Sequence, residues 1–156
     1  MITPLYAPWY DRFGARIIDE LILLIPTMIL IGLMGSVDAE GKPVLPHSFV
    51  VFTFLLQMAY SVVFYSGEWQ ATPGMRVMDI HLVRTNGRAL TQRDGLERFL
   101  AFFMPTLPVY TSFIPADTAV SLAIFLCVLW FLPVLTTGVG MHDRLTNMRV
   151  ITGRIP

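Results

Sequence analysis

Charge is scarce in this chain: only 14% of its 156 residues are charged, against 54% hydrophobic. An ordinary soluble domain carries about a quarter of its residues as charges, so that class is excluded. The mean hydropathy of +0.63 points the same way. A single cysteine, Cys127, rules out a disulfide framework within the chain and leaves no CxxC pair for redox chemistry or zinc. Neither sign of charge is in excess, with eleven Lys+Arg against eleven Asp+Glu, so the totals indicate no nucleic acid and no acidic partner. No Gly-x-x-x-x-Gly-Lys-Ser/Thr loop, nucleophile–base pair or zinc ligand set stands in the sequence, so an enzyme, a nucleotide or metal cofactor is not expected. His81 lies in an alternating segment with no second ligand at metal spacing, and His47 in an outer loop is a weak hint of a pH sensor.

What is present is long apolar runs. Residues 17–35, 48–66 and 118–137 each reach the ~20 residues that cross a bilayer. The first is preceded by Tyr6, Trp9, Tyr10 and Phe13 interleaved with Asp11, Arg12 and Arg16, which suits an elbow at the lipid headgroups. A cleaved signal peptide is the competing reading, but carboxylates follow the arginines and no A-x-A site is present, so the segment reads as retained. Pro26 predicts a kink within it. In the second run, Thr53 and Gln57 stand one turn apart and suit hydrogen bonding to a neighbouring helix.

A fourth segment, 97–115, is ambiguous. Leu96, Phe99, Leu100 and Phe103 share a helical face, but prolines stand at 105, 108 and 115. A distorted spanning helix, a re-entrant hairpin and a surface helix all fit. Charge placement favours a crossing: with four spans, ten of the eleven Lys+Arg fall on one side and only Lys42 opposite, whereas three spans divide them seven to four. The positive-inside rule then sets both termini in the cytoplasm.

Between the second and third spans, residues 67–96 form the largest polar piece. Thr72-Pro73-Gly74 predicts a turn, with Thr72 capping a short helix. Val77 to Val83 alternates like a strand, Asn86-Gly87 suits a type I′ turn, and Arg88 to Leu90 reads as the return strand. Thr91 followed by Asp94 predicts a helix start. Arg76, Arg84, Arg88, Arg93 and Arg98 read as contacts to anionic lipid headgroups. In the tail, 138–156, Met148 to Thr152 is strand-like and able to pair with the hairpin.

The polar residues that need explaining sit at the rim. Asp19 and Glu20 lie inside a spanning run, where a charge at the bilayer centre costs ~2.5–3.5 kcal/mol, so partners or water are required. In a continuous helix Arg12, Arg16 and Glu20 are four residues apart in series and Asp19 lies three beyond Arg16, which gathers both signs on one face. With His142 and Asp143 returning to the same side, an Arg12–Asp143 or Arg12–Asp19 pair would lock the elbow to the last span. The alternative is a cation or proton site with Asp19 and Asp143 as ligands.

The run Trp-Tyr-Asp-Arg-Phe-Gly-Ala-Arg-Ile-Ile-Asp-Glu (9–20), the Ala-Thr-Pro-Gly-Met-Arg segment with its following strand and turn (71–91), and Gly-Met-His-Asp-Arg-Leu-Thr-Asn-Met-Arg-Val-Ile (140–151) occur in one order. Together they resemble the RDD family of bacterial membrane proteins, named for one arginine and two aspartates. The resemblance puts Arg12, Asp19 and Asp143 at the name-giving positions. Met75 departs from it where Lys is common, and Asn147-Met148 where Thr-x-Val is usual. By association it implies Na⁺/H⁺ exchange for some members.

The expected architecture is an all-α polytopic membrane protein of the bacterial inner membrane, one domain over 1–156, with four spans, the third short and proline-broken, and a small cytoplasmic β element. Two functions are expected to compete. One is a non-catalytic accessory or scaffolding subunit of a larger membrane complex. The other is a small transporter, which four helices without an inverted repeat would need to assemble as a homo-oligomer.

Overall fold

The computed structural model describes residues 6–110 and 115–153. Helix α1 runs Trp9–Met34, and of its 26 residues only Ala15, Asp19 and Leu23 are buried. Those three are four residues apart, so a single stripe faces the protein and the rest of the helix is left for lipid. The elbow and the span are one continuous helix, which also passes through Pro26; there the Thr27 hydroxyl donates to the Leu23 carbonyl at 2.8 Å. A hairpin of two short strands, β1 (Ser36–Val37) and β2 (Pro43–Val44), closes the next loop, with the Asp38 carboxylate accepting from the amides of Glu40 and Lys42. Helix α2 spans His47–Ser66. Thr53 bonds back to its own helix, to the carbonyls of Phe49 and Val50, and not to a neighbour.

Short helix α3, Pro73–Val77, starts as its residues dictate: Thr72 caps it by accepting from the Met75 amide, with Pro73 at the first turn. Strand β3 covers Ile80–Arg84. Helix α4, Gln92–Phe103, opens with a capping box in which Thr91 and Asp94 each accept from the other's backbone amide. It passes into a 3-10 helix at Met104–Tyr110, where prolines remove donors needed for α-helical pairing. Helix α5 is Ala116–Thr137, α6 is Met141–Leu145, and strand β4 is Met148–Thr152.

The expected hairpin is not formed. The turn after β3 exists, with Gly87 at φ +72°, but residues 88–90 are not a strand. The β3 backbone instead pairs antiparallel with β4, from Ile80 opposite Thr152 to Arg84 opposite Met148. Leu90 turns inward to 6% exposure, and Thr91 begins α4 directly. The tail strand thus takes the place assigned to the return strand, because Met148 and Val150 contribute buried apolar side chains that Arg88 and Ala89 cannot.

Ala7, Ala15, Ala71, Met75, Ile80, Leu82, Leu90, Met148 and Val150 form a compact apolar cluster at this end of the molecule. It seats the sheet and α3 on the start of α1. Helices α1 and α2 are antiparallel, as Asp19 meets Tyr60. Helix α4 runs antiparallel to α2, with Gly95 against Val62 and Phe99 and Phe103 around Phe54. It also packs against α5, where the Trp130 indole donates to the Ala101 carbonyl at 3.1 Å and Phe102 packs on Phe131.

Three helices, α1, α2 and α5, are long and apolar enough to cross a membrane. The chain is therefore mostly helical, with three candidate spans. The segment expected as a third span, 97–115, is a composite of α4 and the 3-10 helix, and residues 111–114 lie outside the described part.

Candidate functional site

Arg12 lies one turn into α1 and reaches four separate segments. Its Nε donates to the Ala7 carbonyl at 3.0 Å, and its two terminal nitrogens donate to Asp143 Oδ2 at 2.7 Å, to the Gly138 carbonyl at 2.5 Å and to the Val150 carbonyl at 3.3 Å. The elbow, the end of α5, α6 and β4 thus meet on one guanidinium, whose planar fork suits several acceptors at once. Gly138 stops α5 in the left-handed region at φ +68°, and a Cβ there would stand 3.2 Å from Tyr6.

Asp143 is fully buried between two cations. Arg98, itself buried, donates to Oδ1 at 2.6 Å opposite the Arg12 contact, and the Gly140 amide donates to Oδ2 at 3.1 Å. Burial alone would raise its pKa, but Arg98, with His142 and Arg12, holds the carboxyl well below the usual carboxylate range. Beside it His142 is pushed down to about 3, first by burial and then by Arg98, with Asp143 opposing. The imidazole is therefore neutral near pH 7. It packs edge-on against Phe102 and obliquely against Phe131, with Nε2 3.4 Å from Asp143 Oδ1, and its Nδ1 is buried without a hydrogen-bond partner among the described residues.

Asp19 forms a second centre. Oδ1 accepts from Tyr60 Oη at 2.7 Å and from the Gly74 amide at 2.8 Å, and Oδ2 accepts from Thr72 Oγ1 at 2.6 Å. Thr72 in turn accepts from the Met75 amide at 3.2 Å, so one hydroxyl caps α3 and fastens it to α1. Gly74 is required by proximity, since a Cβ there would lie 2.1 Å from the Ala15 carbonyl oxygen. Met75 is buried in the apolar cluster.

The one charged face expected on α1 is thus divided. Arg12 and Asp19 point the same way but stand two turns apart, about 10 Å along the axis, so they take different partners. Arg16 and Glu20 pair at 2.5 Å on a more exposed face. The five loop arginines do not form a common surface. Arg98 is buried on Asp143, Arg84 pairs with the buried Asp94, and Arg76 lies over the Trp69 ring. Arg88 reaches Asp94 at 3.4 Å with a side chain 58% exposed, and Arg93 is exposed beside Glu97.

Sequence reasoning missed Tyr60, Thr72 and Gly74 as partners of Asp19, and Asp94 as a receiver of arginines. The Thr-Pro-Gly spacing signalled a capped turn, but nothing local signals what that turn packs against. Between α1, α2, α4 and α5 lies a cavity of about 510 Å³ touched by Arg12, Arg16, Asp19, Arg98 and His142 and walled by aromatic side chains. Among the described residues no cluster of three His, Cys, Asp or Glu suits a metal ion.

The sequence profile of the RDD family matches residues 6–147. A similar chain is the uncharacterized protein YxaI of Bacillus subtilis (strain 168), 23% identical over 125 residues that cover 69% of this chain and 83% of the relative. No solved structure matches.

Proposed function

The chain belongs to the RDD family, and from that premise we propose that it is a non-catalytic membrane scaffold, an accessory subunit of a larger complex in the bacterial inner membrane with both termini in the cytoplasm. The observation that carries this is the completeness of the two carboxylate centres: each oxygen of Asp143 and of Asp19 already holds donors from the protein. Their partners lie on different segments, so the charges fasten the cytoplasmic cap to the spans. Such a cap presents Arg88 and Arg93 to anionic headgroups, and the long apolar faces of α1 and α5 to a partner's helices.

Four crossings fit this arrangement. Strands β3 and β4 pair, so residues 84 and 148 are on the same side of the membrane. Helix α5 between them is a candidate span, and a second crossing before it is what the four-span reading supplies.

Native mass spectrometry of the protein extracted gently from its own membrane tests the role. A stoichiometric larger membrane protein is the expected outcome; a homo-oligomer without another chain overturns it. The alternative of cation exchange is favoured by one observation, that Asp19 lines the cavity with hydroxyl donors and, among the described residues, no cationic partner. Na⁺-dependent proton flux in liposomes, lost in a folded Asp19→Asn variant, would establish it.

A further inference from the structure

The cavity touches both carboxylate centres, through Arg12, Arg98 and His142 on one side and Asp19 on the other, but most of its wall is apolar. We infer that it is a binding site for one anionic glycerophospholipid whose headgroup carries a free hydroxyl, with an acyl chain between α1 and α5 and the headgroup at Arg16 and His142. Only the membrane setting is assumed, so the scaffold role can fail without affecting this site. At about 510 Å³ the space falls in the ~300–1,000 Å³ range of ligand pockets. It opens sideways, because Phe13 and Leu132 both line it and remain 61% and 47% exposed. In a bilayer an opening walled by such side chains meets hydrocarbon, not water, and an acyl chain satisfies it.

Among the polar groups on its lining, Arg16 and His142 lie on either side of one ring. Arg12 and Arg98 are committed to Asp143, whereas Arg16 is held only by Glu20, in a pair whose side chains are 39% and 46% exposed. Such a pair is weak and can exchange its carboxylate for a phosphate, to which a guanidinium binds in a bidentate fork. Arg16 lies 5.0 Å above the Phe102 ring, and His142 packs 5.6 Å from that ring. The carboxylate 3.4 Å from Nε2 assigns the imidazole proton to that nitrogen, leaving Nδ1 an acceptor with no donor among the described residues. An acceptor in that state calls for a donor, which a headgroup hydroxyl supplies. One aromatic ring therefore separates a site for a phosphate from a site for a hydroxyl. A fatty acid supplies no hydroxyl, and a phosphatidylcholine brings a cation and no hydroxyl.

The test is lipid retention by the full chain, measured by native mass spectrometry after exchange into vesicles of defined composition. The probes are dioleoyl phosphatidylglycerol, dioleoyl phosphatidylmethanol, dioleoyl phosphatidylcholine and oleate. One phosphatidylglycerol per chain is expected to survive delipidation, about fivefold in excess over phosphatidylcholine for the charge and roughly fivefold over phosphatidylmethanol for the hydroxyl. Arg16→Gln removes the first preference, and His142→Phe the second alone. Leu132→Trp, at the half-exposed mouth of the cavity on α5, fills the space and abolishes retention of every probe. Equal retention of phosphatidylglycerol and phosphatidylcholine overturns the site, as does unchanged retention in Leu132→Trp or displacement by oleate. So does a loss in Arg93→Gln as large as in Arg16→Gln, which would move binding to the exposed loop.

Discussion

At the residue scale, the chemistry of this protein is concentrated on Asp143. A carboxylate between two guanidiniums in a buried site is stable only as a set, because removing one charge leaves the others unpaired and desolvated. Asp143→Asn, with Arg12 and Arg98 facing a neutral amide, is expected to lower stability by about 3–5 kcal/mol, read as a large fall in Tm in detergent. An unchanged Tm would mean the set contributes nothing. The neighbouring His142 gives a pH signature. Its folded pKa of about 3 lies below the ordinary ~6.5, so the unfolded chain binds a proton that the folded chain refuses. Stability is complete above ~6.5 and falls as acid is added, by up to about 1.4 kcal/mol per pH unit, until the folded pKa is reached. Asp143 adds its own loss only below the ~3.9 of an unfolded carboxyl, because its folded pKa is depressed. Thermal melts between pH 6.5 and 4 should therefore slope downward toward acid, and His142→Phe should flatten that slope; equal slopes would place the imidazole in contact with water. Arg12 and Asp143 were legible as a pair because both lie beside spans that must return to one side. The second cation on Asp143 was not, since Arg98 sits in an arginine-rich stretch whose plain reading is a solvated loop.

At the element scale, local signals and long-range ones had different fates. The starts of α3 and α4 were visible because a cap needs only its own turn, Thr72 with Met75 and Thr91 with Asp94. The partner of β3 was misplaced because the choice between residues 88–90 and 148–152 is made by burial of Met148 and Val150, which no local pattern announces. The contact of α3 with α1 was hidden for the same reason, and two glycines separate its contribution from helix propensity. Gly74→Ala would put a methyl 2.1 Å from the Ala15 carbonyl oxygen and 2.8 Å from the Asp19 carboxylate, so α3 must move off α1. The expected cost is at least about 1–3 kcal/mol, with loss of the three donors to Asp19. Gly32→Ala, where no atom lies within 4 Å in the last turns of α1, should instead be neutral or stabilising by up to about 1 kcal/mol. Melting both variants in one detergent checks the pair. Equal effects would show that glycine in this chain matters for backbone freedom alone and not for the approach of α3.

At the scale of the whole molecule, the decisive constraint is that the loop before α4 and the tail after α5 are one structure. The Thr85 amide donates to the Asn147 carbonyl at 3.0 Å, beside the five paired positions of β3 and β4. Pairing of the two strands requires an even number of crossings between residues 85 and 147, where α5 is one candidate span. Composition could find α1, α2 and α5 because each is a long uninterrupted apolar run, but it could not resolve 97–115, where prolines convert the helix into a 3-10 path. Cysteine accessibility decides the matter in a Cys127→Ser background. Lys42→Cys, in the loop between α1 and α2, should react with a membrane-impermeant maleimide in intact cells. Asn86→Cys and Leu145→Cys should react only after the membrane is opened, and both to the same extent. Labelling of Leu145→Cys from outside with Asn86→Cys protected would put the two strands on opposite faces. The sheet, the Arg12–Asp143 contact and the fourth crossing would then all be wrong together, because the same even crossing number supports each of them.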